Sequence, residues 1–261
     1  MARIEVVVTG VKGRMGSTLS RLVQADPDLD LVGGVERQGN SGGLEGLGCP
    51  VAEDLAAVLA GPASPVVIDF TSPKASLANA AIVRKMKARA VIGTTGLSPA
   101  ELRELQELAK DVPLFWAPNM SVGINALLEI LPGLVKNLGL EYDLEISEIH
   151  HRHKKDAPSG TALKLGECLA QARGTSLEAS GEFCRHGIIG ERESGRIGVQ
   201  TLRGGDVVGD HTVYFFGPGE RIEITHRAHS RETFAKGALR AAKWLSRQSP
   251  GRLYTVRDMF V

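Results

Sequence analysis

Arg3-Ile-Glu-Val-Val-Val-Thr9, running straight into Gly10-Val-Lys-Gly-Arg-Met-Gly16, decides the fold. The first segment is nearly continuous in Ile and Val, the pattern of a strand buried on both faces. The second is a glycine turn, and a helix is expected from about Met15 to Ala25. Strand, glycine turn and helix in that order are the setting of a dinucleotide-binding turn, where glycine permits close backbone approach to a pyrophosphate. The spacing, G-x-x-G-x-x-G, is one residue longer than the common pattern. A second strand, Leu31 to Val35, leads to Glu36, twenty positions beyond Gly16. An acid at that distance is placed to accept hydrogen bonds from the adenosine ribose. Arg37 follows and can pair with a 2′-phosphate, so the expected cofactor is NADH or NADPH.

The same rhythm continues down the chain. After a glycine-rich loop at 38–50 come a short helix at 54–60 and a buried strand at 66–70. A helix from Ser72 or Pro73 to about Lys87 follows, then a strand at 90–92. A helix capped by Ser98 runs to about Lys110, and a strand spans 113–117. This alternation predicts an α/β fold with a Rossmann-like, doubly wound parallel sheet. Its polar loops (10–16, 36–37, 69–72, 93–96 and 117–121) gather on the carboxyl edge, where such sheets bind ligands.

Past Ser121 the pattern changes. A helix at 124–138 leads into a strand at 142–150, in which Leu144, Ile146, Glu148 and His150 share one face. The loop after it reads His151-Arg-His-Lys-Lys-Asp-Ala-Pro158, and Ser159 is placed to cap a helix from Gly160 to about Ala172. A cationic loop before a helix N-terminus is a seat for a carboxylate or phosphate. A polar stretch reaches Arg196, then strands are expected at 197–203, 207–216 and 220–228, with Arg203-Gly-Gly-Asp206 as the turn between the first two. A helix at 231–247 and a tail at 252–260 close the chain. Residues 1–121 with 231–261 are therefore expected to form the dinucleotide-binding domain. Residues 122–230 are expected to form a smaller α+β domain with a mixed or antiparallel sheet that buries one face.

Composition narrows the classes further. The chain has 261 residues and a formal net charge of +1, so no basic field points to nucleic acid. No apolar run approaches membrane-spanning length. Cys49, Cys168 and Cys184 lack metal-ligand spacing, and no metal site is expected. The N-terminal residues lack the basic, apolar and cleavage segments of a secretory leader and do not read as a transit peptide, so a cytoplasmic setting is expected over a plastid one.

Taken together, Gly10–Gly16, Glu36-Arg37, Asp69-Phe-Thr71, Gly93-Thr-Thr-Gly96, Asn119-Met-Ser-Val-Gly123, Glu148–Ala162, Arg203-Gly-Gly-Asp206 and Gly209-Asp-His-Thr212 resemble the dihydrodipicolinate reductase family over nearly the whole chain. The resemblance implies a homotetramer that reduces a six-membered nitrogen ring bearing two carboxylates. Hydride passes from the nicotinamide to ring C4, and a proton adds at the neighbouring carbon. It implies that Gly10, Val11, Lys12, Gly13, Arg14, Met15, Glu36, Arg37, Gly93, Thr94, Thr95, Ala117, Pro118, Asn119 and Met120 line the cofactor groove. Ser159, Gly160 and Thr161 would hold a substrate carboxylate, and His151 would contact the substrate. Lys154 and His150 would be catalytic, with Lys154 the direct proton donor and His150 a relay or electrostatic partner. Met120 stands where many members carry Phe. Rival readings are another two-domain NAD(P)H oxidoreductase, of the aspartate- or homoserine-dehydrogenase type, or a dinucleotide-sensing module without turnover.

Overall fold

A computed structural model describes residues 2–260. The chain divides into two compact units. One runs up to Val122 and resumes at Glu232; the other is Gly123–Arg231.

In the first unit the elements follow in order: β1 (Ile4–Thr9), α1 (Arg14–Ala25), β2 (Leu29–Val35), β3 (Val51–Ala52), α2 (Leu55–Leu59), β4 (Val66–Asp69), α3 (Pro73–Lys85), β5 (Arg89–Ile92), α4 (Pro99–Leu108) and β6 (Leu114–Trp116). The second unit takes over with α5 (Val122–Leu138), β7 (Asp143–His150), α6 (Gly160–Ala172), α7 (Leu177–Ser180), β8 (Gly181–Glu182), β9 (Ile197–Arg203), β10 (Gly209–Gly217) and β11 (Glu220–Ala228). The chain then returns to the first unit with α8 (Glu232–Leu245) and β12 (Leu253–Tyr254).

The first sheet is parallel throughout, in the order β3-β2-β1-β4-β5-β6-β12. Order reverses between β1 and β4, which opens the switch-point crevice of a doubly wound sheet. Its strands are apolar on both faces because helices cover both. One face packs Val6, Val8, Ile68 and Phe115 against α1 and α8; the other packs Val7, Val67, Ala90 and Ile92 against α2, α3 and α4. Helix α8 comes close because its buried side is small: Ala235, Gly237, Ala238, Ala241 and Ala242. A Cβ on Gly237 would stand 1.8 Å from the Met120 carbonyl oxygen. The tail read as irregular contains the edge strand β12, and two-residue strands appear at β3 and β8. These are too short to leave a sequence pattern.

The second sheet is mixed, in the order β11-β10-β7-β9-β8, antiparallel on one side of β7 and parallel on the other. Leu144, Ile146, Val199, Val213 and Phe215 build a core beneath α5 and α6 with Leu131, Leu165 and Leu169. Strands β9 and β10 are separated by β7. Their connection is therefore a bridge over the end of β7: Gly204 N–H donates to His150 O at 3.0 Å, and His151 N–H to Val207 O at 2.8 Å.

Candidate active site

The cradle in the first unit is made of backbone. Gly10 adopts φ +65°, and a Cβ on Gly16 would lie 2.0 Å from the Gly10 carbonyl oxygen. No side chain larger than hydrogen fits there, so turn and helix can close together. The N-cap of α1 is Gly13, with no side-chain cap and no acid in the first turn. Its N–H groups and the positive helix end are thus open to an anion. Beside it lies a groove of about 550 Å³ at the switch point, lined among others by Gly10, Lys12, Glu36, Arg37, Thr71 and Asn79.

Glu36 is only 7% exposed. Its carboxylate accepts from the N–H of Lys12 at 3.0 Å and of Arg37 at 3.1 Å. Burial works to raise its pKa, but these bonds and one from Asn40 win, so the group is held below the ordinary carboxylate range. An ionised acceptor at the end of β2, an uncapped helix end and a glycine floor fit the ribose and pyrophosphate of a dinucleotide.

The other predicted cradle residues follow the same strand ends. Gly93 is needed because a Cβ there would sit 2.2 Å from the Phe70 ring. Thr94 is buried; its hydroxyl lies 2.7 Å from that of Ser76, and its carbonyl accepts from Trp116 Nε1 at 3.1 Å. Thr95 is exposed, as are Lys12, Gly13, Arg14 and Arg37, while Val11 is buried and Met15 half-buried. Ala117 N–H extends the ladder to Ile92 O, and Asn119 Oδ1 accepts from Ser121 N–H at 2.8 Å. Pro118 lies between them. Met120 is 2% exposed and belongs to the core under α8, so its side chain is a packing group.

The cluster in the second unit is made of side chains. Glu148 is fully buried, and five donors or donor candidates converge on it. Arg203 forks onto both oxygens at 2.8 and 2.9 Å. His150 Nδ1 lies 2.5 Å from Oε2, Ser159 N–H donates at 3.0 Å, and the Thr201 hydroxyl at 3.1 Å. Register explains the convergence: Glu148 pairs with Thr201 of β9 and His211 of β10, and His150 pairs with Arg203. Burial pushes the Glu148 carboxyl up, but bonds from Arg203, His150 and Ser159 prevail and bring it to about 2.

Ser159 is 2% exposed. Its hydroxyl accepts from Ala162 N–H at 3.1 Å and lies 2.9 Å from His211 Nε2, so this residue is engaged on every side as cap and brace. Gly160 and Thr161 occupy the first turn above it. The His211 ring meets the His150 ring edge-on, centroids 5.1 Å apart. Burial, with the nearby His150, brings His211 down to about 4. His150, 9% exposed, is also lowered, first by burial, with Glu148 opposing and Lys154 and Arg203 adding to the drop. Lys154 reaches Asp156 at 2.8 Å, and His151 is half-buried beside it.

Glu148, Thr201, Arg203 and His211 were absent from the sequence-derived site. One signal was readable: β10 alternates, and His211 falls on its buried side with Gly209, Val213 and Phe215. Among the described residues, no group of three or more His, Cys, Asp or Glu is arranged to hold a metal, and no helix is long and apolar enough to cross a membrane.

A Rossmann-type sheet with its glycine turn at the switch point, joined in one chain to an α+β unit bearing an acid–histidine cluster, defines a nucleotide-dependent oxidoreductase class. Residues 4–120 match the model for the N-terminus of dihydrodipicolinate reductase, and residues 123–260 that for its C-terminus. The chain belongs to the dihydrodipicolinate reductase family. It is 57% identical over 256 residues to the 4-hydroxy-tetrahydrodipicolinate reductase of Oleidesulfovibrio alaskensis, covering 98% of this chain and 99% of that one. The reductase of Nitratidesulfovibrio vulgaris strain Miyazaki F is 57% identical over 254 residues, covering 97% and 98%. Among solved structures, the dipicolinate-bound dihydrodipicolinate reductase from Paenisporosarcina sp. TG-14 aligns with TM-score 0.78 at 22% identity, over 99% of this chain and 100% of that one. At that identity the likeness shows the fold.

Proposed function

We infer that this chain catalyses the NADH- or NADPH-dependent reduction of 4-hydroxy-tetrahydrodipicolinate to tetrahydrodipicolinate, in diaminopimelate and lysine biosynthesis. The observation that carries the reading is the 57% identity to the Oleidesulfovibrio reductase over nearly the full length of both chains. A reduced nicotinamide held along the carboxyl edge of the first sheet supplies the hydride that reaches ring C4.

This chain's residues do the rest. The turn from Gly10 to Met15 and the start of α1 seat the pyrophosphate; Glu36 holds the ribose hydroxyls, and Arg37 meets a 2′-phosphate when one is present. Gly93 to Thr95 and Ala117 to Met120, the last through its backbone, shape the nicotinamide end. The first turn of α6, with Gly160 and Thr161 held in place by the Ser159 cap, takes one substrate carboxylate, and His151 contacts the ring. Water leaves from C4 before reduction. Lys154 gives the proton that completes the neighbouring carbon, exchanging Asp156 for the substrate, and His150 relays a proton to restore it.

Supporting the two-cofactor reading are an acid and a guanidinium side by side at the end of β2. The family supports a homotetramer in the cytoplasm, with residues 1–121 and 231–261 as the nucleotide domain and 122–230 as the substrate and assembly domain. The test is an absorbance assay of NADH and NADPH oxidation with freshly made condensation product of pyruvate and aspartate semialdehyde. Rapid oxidation of at least one nucleotide, dependent on that product, is expected. Nucleotide oxidation that needs aspartate semialdehyde alone and gains nothing from pyruvate would transfer the chain to the homoserine-dehydrogenase type.

A further inference from the structure

We propose that Glu148, clamped by Arg203, is the positioning residue that fixes the tautomer of His150 and confines its proton exchange to Nε2. The proposal rests on the reductase reading for its catalytic consequence, and on geometry alone for the tautomer.

Consider what each atom can do. Both oxygens of Glu148 are occupied by N–H or O–H donors: Arg203 on both, with Ser159 and Thr201 on Oε1. A carboxylate so placed stays ionised and can only accept. The nitrogen facing it at 2.5 Å, His150 Nδ1, must then carry a hydrogen. In the neutral ring this leaves the lone pair on Nε2. That nitrogen is kept approachable by a missing side chain: a Cβ on Gly209 would stand 2.9 Å from it. Proton uptake and release then occur at one atom. The ring gains a hydrogen on Nε2 and becomes an imidazolium, then gives it up, while Glu148 keeps its charge throughout.

Several charged or titratable groups face this ring. Glu148 lies on its own strand, Arg203 on β9, His211 on β10 and Lys154 on the following loop. Of these, only Glu148 favours the imidazolium. Arg203 therefore has two effects: it locks the carboxylate in place and tempers its pull on the proton. It is itself braced, donating to the Asp156 carbonyl at 2.7 Å. This arrangement resembles the orienting acid behind the histidine of hydrolase triads in function, where the wrong tautomer is costly.

The experiment is two-bond ¹H–¹⁵N correlation NMR of full-length protein carrying ¹⁵N-histidine, with the His150 signals assigned by their loss in His150→Asn. Near neutral pH the wild-type protein is expected to show hydrogen on Nδ1 and a bare Nε2. Glu148→Gln should populate the other tautomer and shift the pH–rate limb of kcat to lower pH. It should cut kcat by at least about tenfold with the nucleotide KM kept, and Glu148→Asp should restore part of the loss. Hydrogen on Nε2 in the wild-type protein overturns the proposal whether or not any variant folds. So does a folded Glu148→Gln protein with unaltered tautomer and pH profile. If the tautomer is as stated yet the condensation product is not turned over, the reductase reading fails and the clamp remains.

Discussion

The N-termini of α1 and α6 are built in opposite ways. Helix α1 begins bare, with glycine at the cap and no acid in its first turn. Helix α6 begins already braced: Ser159 accepts from Ala162, its N–H is held by Glu148, and its hydroxyl meets His211. A bare helix end offers its charge to any phosphate, which suits a cofactor shared by many enzymes. A braced one offers a fixed direction, as the carboxylate seat proposed for it requires. The first unit thus shapes its anion turn by removing side chains, with the buried Glu36 set beside it, and the second builds its cluster by burying side chains in one another's company. Backbone cradles should fail sterically, and side-chain clusters electrostatically.

Removing the guanidinium should give the largest effect. Arg203→Ala leaves Glu148 buried with its countercharge gone, and a loss of about 3–5 kcal/mol is expected. Urea unfolding of the wild-type and variant proteins measures it; a change below about 1 kcal/mol would mean that the buried acid does not depend on its partner.

Acid should be next. The unfolded chain binds protons near pH 6.5 at a histidine, whereas His211 in the folded chain waits until about 4. Its contribution is therefore complete above pH 6.5 and lost as pH falls toward 4, on the order of 3 kcal/mol. Glu148, held at about 2, adds a second loss as pH falls below its ordinary 4.5. Stability curves against pH should show both phases. His211→Asn should shrink the upper one, leaving the smaller share of His150 and His226, which burial also lowers, and should leave the lower phase intact; an unchanged upper phase would assign it elsewhere.

On the other side of the comparison, Gly16→Ala forces a methyl into the turn and should cost about 1–3 kcal/mol. Dinucleotide binding, followed by calorimetry, should weaken in the same variant while the His150 and His211 NMR signals stay in place. Movement of those signals would show that the two sites are not independently built. The smallest effect is reserved for Arg37→Ala: a drop of about 0.5–1 kcal/mol in NADPH binding relative to NADH, the scale of one exposed ionic contact. An unaltered ratio of kcat/KM for the two nucleotides would take Arg37 out of 2′-phosphate recognition.

The same contrast governs what could be read from residue order alone. Glycines at 10, 13 and 16, apolar runs at 4–9 and 66–69, and Glu36 at its spacing are local patterns, and each maps onto one structural consequence. The face of β7 bearing Glu148 and His150 was equally plain from alternation. What lay beyond reach was the convergence of Thr201, Arg203 and His211 on that face. They come from strands more than fifty residues away and meet only once parallel and antiparallel registers are set. For the same reason Ser159 looked like a ligand donor when its hydrogen bonds turn inward. Met120, read as lining the groove, proved to be packed under α8 because Gly237 lets that helix close on it.

That late closure has a consequence for biogenesis. The sheet that starts at Ile4 acquires its outer strand and one of its covering helices only when residues 232–254 have been made. Until then Val6, Val8, Ile68 and Phe115 lack the alanine-rich helix that covers them. Synthesis therefore completes the inserted middle segment before the earlier segment can finish. During that interval the half-built sheet exposes apolar surface of the kind that favours aggregation.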